Sequence, residues 1–413
     1  MTPSNHQSEE SKYNYAVAFN RSTILRFIAI GATVGFISCS SSDKKSNSVT
    51  SEASTQAGWN ASMQGLKEAL TDLLPDIVDQ KYYYEAANEA SIKSKVIKLR
   101  DVAKAVKHNP SLAERDPSIR FISQAFDEDL QRVVDSLDNG KKEYARYSLL
   151  SMSSYCIECH TRTSNGPQFH SPKLEQSISK LGSIEKGEYL LSIREFDKAL
   201  TELEKGINEQ LNSTIDYFAL NKAIRYALAV TIKFQKSPEK ALHFVNIIES
   251  SPKTPYALKQ NAKGWRLAIK DWTSEKKTST TSAKDSIKKA NSLVEKGVHM
   301  QSGLVDQGGD IYFLRSLSEL HAILNRKDLK KEELGEALYL TGVSYESIRE
   351  VSFWNLYENY YESCIKTVPH TVWSKKSYKR LEDSVYLGYS GSGGVSIPIE
   401  VQKRLQELQE IAL

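Results

Sequence analysis

Cysteine is scarce in this chain, which has four among its 413 residues. So few thiols cannot cross-link a chain of this length, and a fold built on disulfides is therefore excluded. An excess of one charge is also lacking, because 55 Lys and Arg face 51 Asp and Glu and leave a formal charge of +4, which gives no argument for a nucleic-acid partner. Mean hydropathy is −0.46. Only residues 27–38 are apolar enough to meet a membrane, which excludes a multispanning membrane protein.

The composition is that of a chain that folds around a packed core. Hydrophobic residues make up 40% of the sequence and charged residues 26%, which argues against wholesale disorder. The length suggests two or three domains. Apolar residues recur at helical spacing along most of the chain and no convincing strand pattern is present, so we predict an all-α fold.

A short apolar run near the start of the chain is typical of an export signal. Residues 27–38 follow Arg21 and Arg26, are too few to span a bilayer, and match the hydrophobic part of a secretory signal peptide. Cys39 comes directly after them, an arrangement that resembles the lipobox of bacterial lipoproteins. The resemblance implies that residues 1–38 are removed and that Cys39 is acylated. An uncleaved anchor, or a plain signal peptide with an incidental cysteine, are the alternatives.

A stretch rich in serine and threonine follows Cys39. Residues 39–56 have few apolar side chains to bury, so we predict a flexible tether. Asp is absent directly after Cys39, which in Gram-negative lipoproteins favours the outer membrane over the inner one. We therefore expect a lipid-anchored protein of the cell envelope that faces the periplasm, an oxidising compartment.

One cysteine motif carries the chemistry that the sequence predicts. Residues 156–160 read Cys-Ile-Glu-Cys-His, and C-x-x-C-H is the attachment signature of c-type haem. The thiols of Cys156 and Cys159 would add to the two haem vinyl groups, and His160 would supply an imidazole nitrogen to the iron. On a helix these three positions share one face. The motif occurs once, so we predict a single covalent haem c.

Paired cysteines also occur in thioredoxin-like redox centres, in zinc sites and as structural disulfides. No strand–helix pattern surrounds this pair, as a thioredoxin-like centre would require. No second C-x-x-C or H-x-x-H is present to complete a zinc site. None of the three requires a histidine directly after the second cysteine, so covalent haem is the preferred interpretation.

Four amphipathic segments surround the motif, and each has an apolar stripe at helical spacing: 59–77, 92–106, 119–137 and 141–160. Their short connections predict an antiparallel four-helix bundle with the motif at the end of its fourth helix. In this arrangement residues 57–165 resemble the cytochrome c′ and cytochrome c-556 four-helix family. The resemblance implies that the first helix supplies the residue over the open face of the iron. It covers about a quarter of the chain, which continues well beyond the point where the family normally ends.

The sequence offers two candidates for the second iron ligand, Met63 and His108. Met63 lies on the inward stripe of the first segment and matches the position where six-coordinate relatives place Met, although a Met on such a stripe is usually core. Met152 lies one turn before the motif, on the side of His160, and cannot readily reach across the porphyrin. His108 is a weaker candidate, at the end of the second segment. Arg162 is a candidate partner for a haem propionate, with a solvated surface arginine as the alternative.

The remainder of the chain, residues 174–413, is predicted to be helical, after a linker of Gly and Pro residues at 165–172. Gly187, Phe196, Ala199 and Leu203 fall at the small and large positions of a tetratricopeptide-like repeat, and 237–245 is a looser copy. We predict an α-solenoid-like domain that docks a partner, with an irregular helical domain as the alternative. Further helical segments are predicted near 254–271, 283–300, 308–326, 331–347 and 352–366.

Two other features of the C-terminal region were candidates for function. Residues 388–394 are rich in glycine but lack the Gly-Lys-Ser/Thr ending of a P-loop, and we predict a turn between helices. Cys364 is left unpaired if the other three cysteines hold lipid and haem, and we predict a buried free thiol rather than a nucleophile.

Together these features predict a monohaem c-type cytochrome lipoprotein that transfers electrons in the cell envelope. Its helical repeat domain would dock a redox partner protein or an envelope complex, and its lipid would bind the membrane. No paired-carboxylate, Ser-His-Asp or zinc arrangement has usable spacing, which favours an electron carrier over an enzyme. The alternatives are a five-coordinate haem protein that binds or senses a ligand, a haem enzyme, and a repeat scaffold without haem.

Overall fold

Helices make up most of the structure, which confirms the predicted all-α fold. The computed structural model describes six ranges of the chain: 47–107, 116–162, 172–275, 282–301, 306–348 and 356–413. Within those ranges the only paired strands are β1 (Ser390–Gly391) and β2 (Gly394–Val395), which form a two-residue antiparallel hairpin. This hairpin is the turn between helices that we predicted for the glycine-rich segment.

The helices of the haem-motif region match the four predicted segments, with a short extra helix and a 3₁₀ turn at Ala86–Asn88 after the first. They are α1 (Asn47–Val78), α2 (Gln80–Tyr84), α3 (Glu89–Lys107), α4 (Pro117–Asp138), α5 (Lys142–Ser151) and α6 (Ser153–His160). Their predicted stripes supply the buried core, which includes Leu73, Ile77, Ile92, Val96, Leu99, Ile122, Leu130, Val133 and Leu149.

The first helix begins inside the segment that we predicted to be a tether. Helix α1 starts at Asn47, within residues 39–56, and residues 39–46 lie outside the described part of the chain. The flexible tether stays a prediction.

Side-chain pairs fix the directions of the first three long helices. Lys93 near the start of α3 pairs with Asp138 at the end of α4. Arg100, further along α3, donates to Gln131, which is closer to the middle of α4. Later residues of α3 thus contact earlier residues of α4, so the two helices are antiparallel.

Helix α1 is antiparallel to α3 by the same criterion. Lys95 of α3 pairs with Asp76 near the end of α1 at 2.6 Å. Nearer the start of α1, a Cβ added to Gly65 would lie only 3.1 Å from Cγ1 of Val102. Helices α1, α3 and α4 therefore alternate in direction, as the predicted bundle requires.

The predicted fourth helix is broken at Met152, which is a correction to the single segment 141–160. The Ser151 hydroxyl donates to the carbonyl of Tyr147 at 2.9 Å, and the Ser154 hydroxyl donates to the carbonyl of Ser151 at 2.8 Å. Serine hydroxyls that bond back to the preceding turn compete with the helical backbone and bend it. Helix α6 therefore carries the C-x-x-C-H motif as a separate two-turn segment.

The C-terminal helices follow as a series of hairpins, and the five further helical segments predicted there are confirmed. They are α7 (Pro172–Ile178), α8 (Ser183–Ser192), α9 (Phe196–Asn212), α10 (Tyr217–Ala229), α11 (Pro238–Ser250), α12 (Tyr256–Ser274), α13 (Ala283–Met300), α14 (Asp310–Leu324), α15 (Lys331–Ser347), α16 (Leu356–Thr367), α17 (Val372–Gly388) and α18 (Ile399–Ala412). A π-helical turn at Val230–Phe234 follows α10.

The α8–α9 hairpin packs closely at its glycine. A Cβ added to Gly187 would lie 2.7 Å from Cγ of Leu203 and 3.3 Å from the carbonyl oxygen of Ala199. Leu203 of α9 thus packs directly against Gly187 of α8, as we expected of a large and a small residue at these positions. The tetratricopeptide-like repeat itself stays a prediction.

Residues 50–413 form one compact unit. Helix α6 packs on α8, and α4 packs on α16, so the segment 57–165 and the C-terminal region share extensive contacts. The boundary at 165–174 lies mostly outside the described residues. A flexible linker would let the helices around the C-x-x-C-H motif move relative to α8 and α16. Because these helices pack against each other, we do not expect such movement.

Candidate functional site

The C-x-x-C-H motif forms the last turns of α6. Cys156, Cys159 and His160 are all half-buried, and their spacing on a helix puts them on one face. Both thiols are free, so no disulfide joins them. Three side chains that could act on one ligand are therefore brought together where the sequence predicts them.

Burial sets the protonation of the two thiols. It raises the pKa of Cys156 to about 11 and the pKa of Cys159 to about 12. Disulfide exchange needs a thiolate near neutral pH, which thioredoxin-like centres provide by lowering the cysteine pKa. The environment of these thiols is the opposite of the one that a dithiol redox centre requires.

A backbone contact orients the imidazole of His160. Its Nδ1 lies 2.6 Å from the carbonyl oxygen of Ser192, at the end of α8. A carbonyl oxygen only accepts, so Nδ1 carries the hydrogen and Nε2 keeps its lone pair. Burial lowers the pKa of His160 to about 4, and the nearby Arg194 cation acts in the same direction. The ring is therefore neutral at physiological pH.

These residues fit the attachment of a c-type haem. Thiols at the first and fourth positions match the thioether pattern, and metal-binding histidines commonly donate their other ring nitrogen to a backbone carbonyl, as Nδ1 does here. In addition, Tyr189 of α8 is 2% exposed, and its hydroxyl has no hydrogen-bond partner among the described residues. Burial raises the pKa of the Tyr189 hydroxyl, and the electrostatic influence of Cys156 acts in the same direction. A buried hydroxyl without a hydrogen-bond partner suits a site that a polar ligand group completes.

Met63 lies on α1 and is partly buried against the core. Arg146 of α5 donates to the carbonyl of Ile77 near the end of α1, at 2.8 Å, so α5 lies beside that end of α1. Ligation by Met63 stays a prediction.

The other predicted ligands have different outcomes. Met152 is buried at the break between α5 and α6, one turn before Cys156, as we expected of a core residue. His108 and Cys39 lie outside the described residues. No helix in the described part of the chain is both long and apolar enough to cross a membrane.

Arg162 is directed into the protein interior. Its guanidinium pairs with Asp116 at 3.0 Å and with Glu158 at 2.9 Å, and Nη1 also donates to the Tyr360 hydroxyl at 2.8 Å. All three guanidinium nitrogens have protein partners. The propionate contact stays a prediction, and a haem carboxylate would have to compete with these bonds for the guanidinium.

Two residues complete this buried ion cluster, which consists of Asp116, Glu158, Arg162, His321, Tyr345 and Tyr360. The Tyr345 hydroxyl donates to Glu158 at 2.7 Å and lies 3.0 Å from Nε2 of His321. The Arg162 guanidinium also lies over the Tyr345 ring. The spacing of Glu158 and Arg162 is visible in the sequence as a helical i, i+4 pair, whereas their partners on α14, α15 and α16 carry no local signal.

A cavity of about 20 Å³ lies beside the cluster, between α6 and the π-helical turn Val230–Phe234. Glu158, Thr161 and Lys233 contribute its polar groups, and the rest of the lining is mostly apolar. Burial lowers the pKa of Lys233 to about 8, and its amine donates to the Thr161 hydroxyl at 3.4 Å. The space suits about one water molecule.

Cys364 is the buried free thiol that we predicted. Its Sγ contacts the carbonyl oxygen of Gly335 at 3.3 Å, and burial raises its pKa to about 11. Among the described residues no group of three or more His, Cys, Asp and Glu side chains is arranged to hold a metal ion.

Comparison of the chain with protein-family models, with curated proteins and with solved structures finds no match.

Proposed function

We propose that this protein is a monohaem c-type cytochrome that transfers electrons. One observation carries the proposal: two free thiols and an imidazole share the end of α6, and the imidazole is oriented by a bond from Nδ1 to the Ser192 carbonyl. The C-x-x-C-H spacing needs this combination for thioether attachment and iron ligation. A disulfide or a dithiol redox centre needs neither the histidine nor its orientation.

Each residue of the site would have a separate task. Cys156 and Cys159 would hold the porphyrin covalently along α6, and His160 would be the proximal iron ligand. The bound haem would supply an iron that alternates between two oxidation states. The rigid support of His160 keeps the ligand geometry similar in both states, which suits electron transfer.

Met63 is the proposed second ligand. It lies on α1, partly buried against the core, at the position that the resemblance to the four-helix family implies for this ligand. His160 and Met63 would together hold the iron, and Met ligation would raise the reduction potential, which would favour an electron carrier over a sensor or an enzyme.

The remaining parts of the proposal concern location and partners. Export and acylation at Cys39, with the lipid in the outer membrane, would place the haem in the periplasm, where c-type cytochromes are matured. The helical C-terminal region would dock a redox partner protein or an envelope complex, as stacked helix pairs commonly do.

The test is an absorption spectrum of the full chain from a host that matures c-type haem. The proposal predicts a Soret band and, in the oxidised protein, a weak far-red charge-transfer band from methionine to iron. Met63→Ala should abolish the far-red band, whereas the control Met152→Leu, at a buried methionine one turn before the motif, should retain it.

Two other results would contradict this assignment in different ways. High-spin bands with carbon monoxide binding in the wild-type protein would favour a five-coordinate ligand-binding haem protein or a haem enzyme. A purified chain without any Soret band would leave the repeat scaffold as the better description.

A further inference from the structure

The turn that follows α8 contacts the haem motif at two points. The Ser192 carbonyl accepts from Nδ1 of His160 at 2.6 Å, and Nη1 of Arg194 donates to the backbone carbonyl of His160 at 2.8 Å. We propose that this turn is part of the haem site and that Arg194 is a positioning residue for the proximal imidazole. The inference rests on the proposed haem function and extends the site beyond the four-helix bundle.

The backbone of the turn explains why the Ser192 carbonyl is available. The amide of Glu195 donates to the carbonyl of Leu190 at 2.9 Å, and the amide of Arg194 donates to the carbonyl of Leu191 at 3.0 Å. This pair of bonds is a Schellman motif, which satisfies two of the last carbonyls of a helix. The carbonyl of Ser192, one residue further on, is not used by the motif and receives the His160 hydrogen instead.

Arg194 occupies the position in this motif that glycine usually fills. Its φ is +65°, a left-handed conformation that costs a non-glycine residue about 1 kcal/mol or more. The side chain is held in return: it is 5% exposed and lies over the rings of Phe196 and Phe234, at 5.5 Å and 5.8 Å from their centroids. Glycine would remove the backbone strain at this position but could not donate to the His160 carbonyl. The hydrogen bond from the guanidinium therefore gives a reason for arginine here.

Two hydrogen bonds between the ends of α6 and α8 restrain the ring in two ways. The bond to Ser192 fixes its tautomer and rotation, and the bond from Arg194 fixes the backbone from which the ring extends. Donation from Nδ1 increases the basicity of the ligating nitrogen and so stabilises the more oxidised iron. Weakening this support should therefore move the reduction potential to more positive values. Loss of the Arg194 cation by itself would move it to more negative values, because a positive charge near the iron disfavours the oxidised state, so the sign of the shift separates the two effects.

The test is the reduction potential of the haem-loaded full chain with Arg194→Gly. Glycine adopts φ near +65° without strain, so the turn is kept while the guanidinium is removed. We expect the variant to retain covalent haem and to shift to a more positive potential. The matched control is His370→Gly, which changes another non-glycine residue in the left-handed region, φ +60°, at an exposed position, and should leave the potential unchanged.

Two results would overturn the inference. An Arg194→Gly protein with the wild-type potential, or with a more negative one, would show that the guanidinium does not position the ligand, while the cytochrome assignment would stand. A wild-type chain that matures without haem would overturn the assignment and the inference together. If Arg194→Gly does not mature, Arg194→Asn replaces it, because asparagine also tolerates the left-handed region, and the same positive shift is expected.

Discussion

At the scale of single residues, the most consequential side chain outside the C-x-x-C-H motif is Arg162. Among the described residues, it is the one guanidinium that pairs with two buried carboxylates, Asp116 and Glu158, whose side chains are less than one-tenth exposed. Desolvation makes such charges costly unless they are paired. Since Glu158 lies within the haem motif, the same pairing also holds the motif against the C-terminal helices.

Replacing Arg162 by methionine should strongly destabilise the protein. The change keeps much of the apolar stem but leaves two buried carboxylates without a counter-charge, and breaking a buried pair in this way costs about 3–5 kcal/mol of unfolding free energy. Urea denaturation measures the loss. Arg326→Met, which removes a surface pair with Asp328, is the control and should cost less than about 1 kcal/mol. Equal effects of the two substitutions would contradict the structural role of the cluster.

His321 should make the protein sensitive to mild acid. Burial and the nearby Arg162 and Lys233 cations lower the pKa of His321 well below its usual 6.5. The unfolded chain therefore binds a proton below about pH 6.5 that the folded chain does not bind. Unfolding free energy should fall as the pH decreases from 6.5, by up to about 1.4 kcal/mol for each pH unit.

The substitution His321→Gln checks this dependence. It removes the titrating group, so the unfolding free energy between pH 6.5 and 5 should fall less steeply than in the wild-type protein. His299→Gln, at an exposed histidine of α13, is the control and should leave the slope unchanged. A wild-type slope in His321→Gln would refute the assignment of a neutral, buried His321.

At the scale of helices, the predictions from periodicity were sound where one face is buried along a whole helix. The stripes of α1, α3 and α4 became core because burial of an apolar face is what stabilises a helix in water. The break at Met152 was not predicted. It depends on two serine hydroxyls that bond to backbone carbonyls and so compete with the hydrogen bonds of the helix. The spacing of apolar residues carries no information about these bonds.

The α8–α9 contact should tolerate no added methyl group. Alanine at position 187 would gain about 1 kcal/mol of helix propensity, but its Cβ would overlap the fully buried Leu203. Overpacking of a core typically costs about 1–3 kcal/mol. We expect Gly187→Ala to lower the unfolding free energy by about 1 kcal/mol, measured by thermal or urea denaturation.

Gly388→Ala is the matched control for this substitution. Gly388 is the last residue of α17, and a Cβ added there meets nothing within 4 Å, so stability should stay the same or rise slightly. A Gly187→Ala protein that is as stable as wild type would mean that α8 and α9 do not approach as closely as described.

At the scale of the whole molecule, the haem-motif helices and the C-terminal helices depend on each other. Arg162 of the motif region bonds to Tyr360 of α16, and His160 bonds to Ser192 of α8. Both contacts bury polar groups that would be left without partners if the regions separated. We therefore expect residues 57–165 not to fold as an independent bundle.

Cooperative unfolding tests this dependence. Urea curves followed by far-ultraviolet circular dichroism and by tryptophan fluorescence should coincide for the full chain, as they do for a two-state unit. A fragment of residues 57–165 should lack a cooperative transition of its own. Two separate transitions in the full chain, or a stably helical fragment, would support independent domains instead.

The candidate site shows which features a sequence can and cannot predict. Cys156, Cys159 and His160 were found because their chemistry depends on local spacing. Ser192 acts through its backbone carbonyl, which every residue type has, so the sequence gives no signal for this contact. Tyr360 reaches the motif only through packing of distant helices. The support of the site, unlike its ligands, is a property of tertiary structure.

Covalent attachment of one haem at the C-x-x-C-H motif is the property on which the proposed function depends. Intact mass spectrometry of the denatured full chain, purified from a host that matures c-type haem, measures it. We expect a mass increased by one haem, and loss of that increase in the double variant Cys156→Ala/Cys159→Ala. A wild-type chain with the mass of the polypeptide alone, after successful maturation of a control cytochrome in the same host, would show that no haem is attached and that the protein is not a c-type cytochrome.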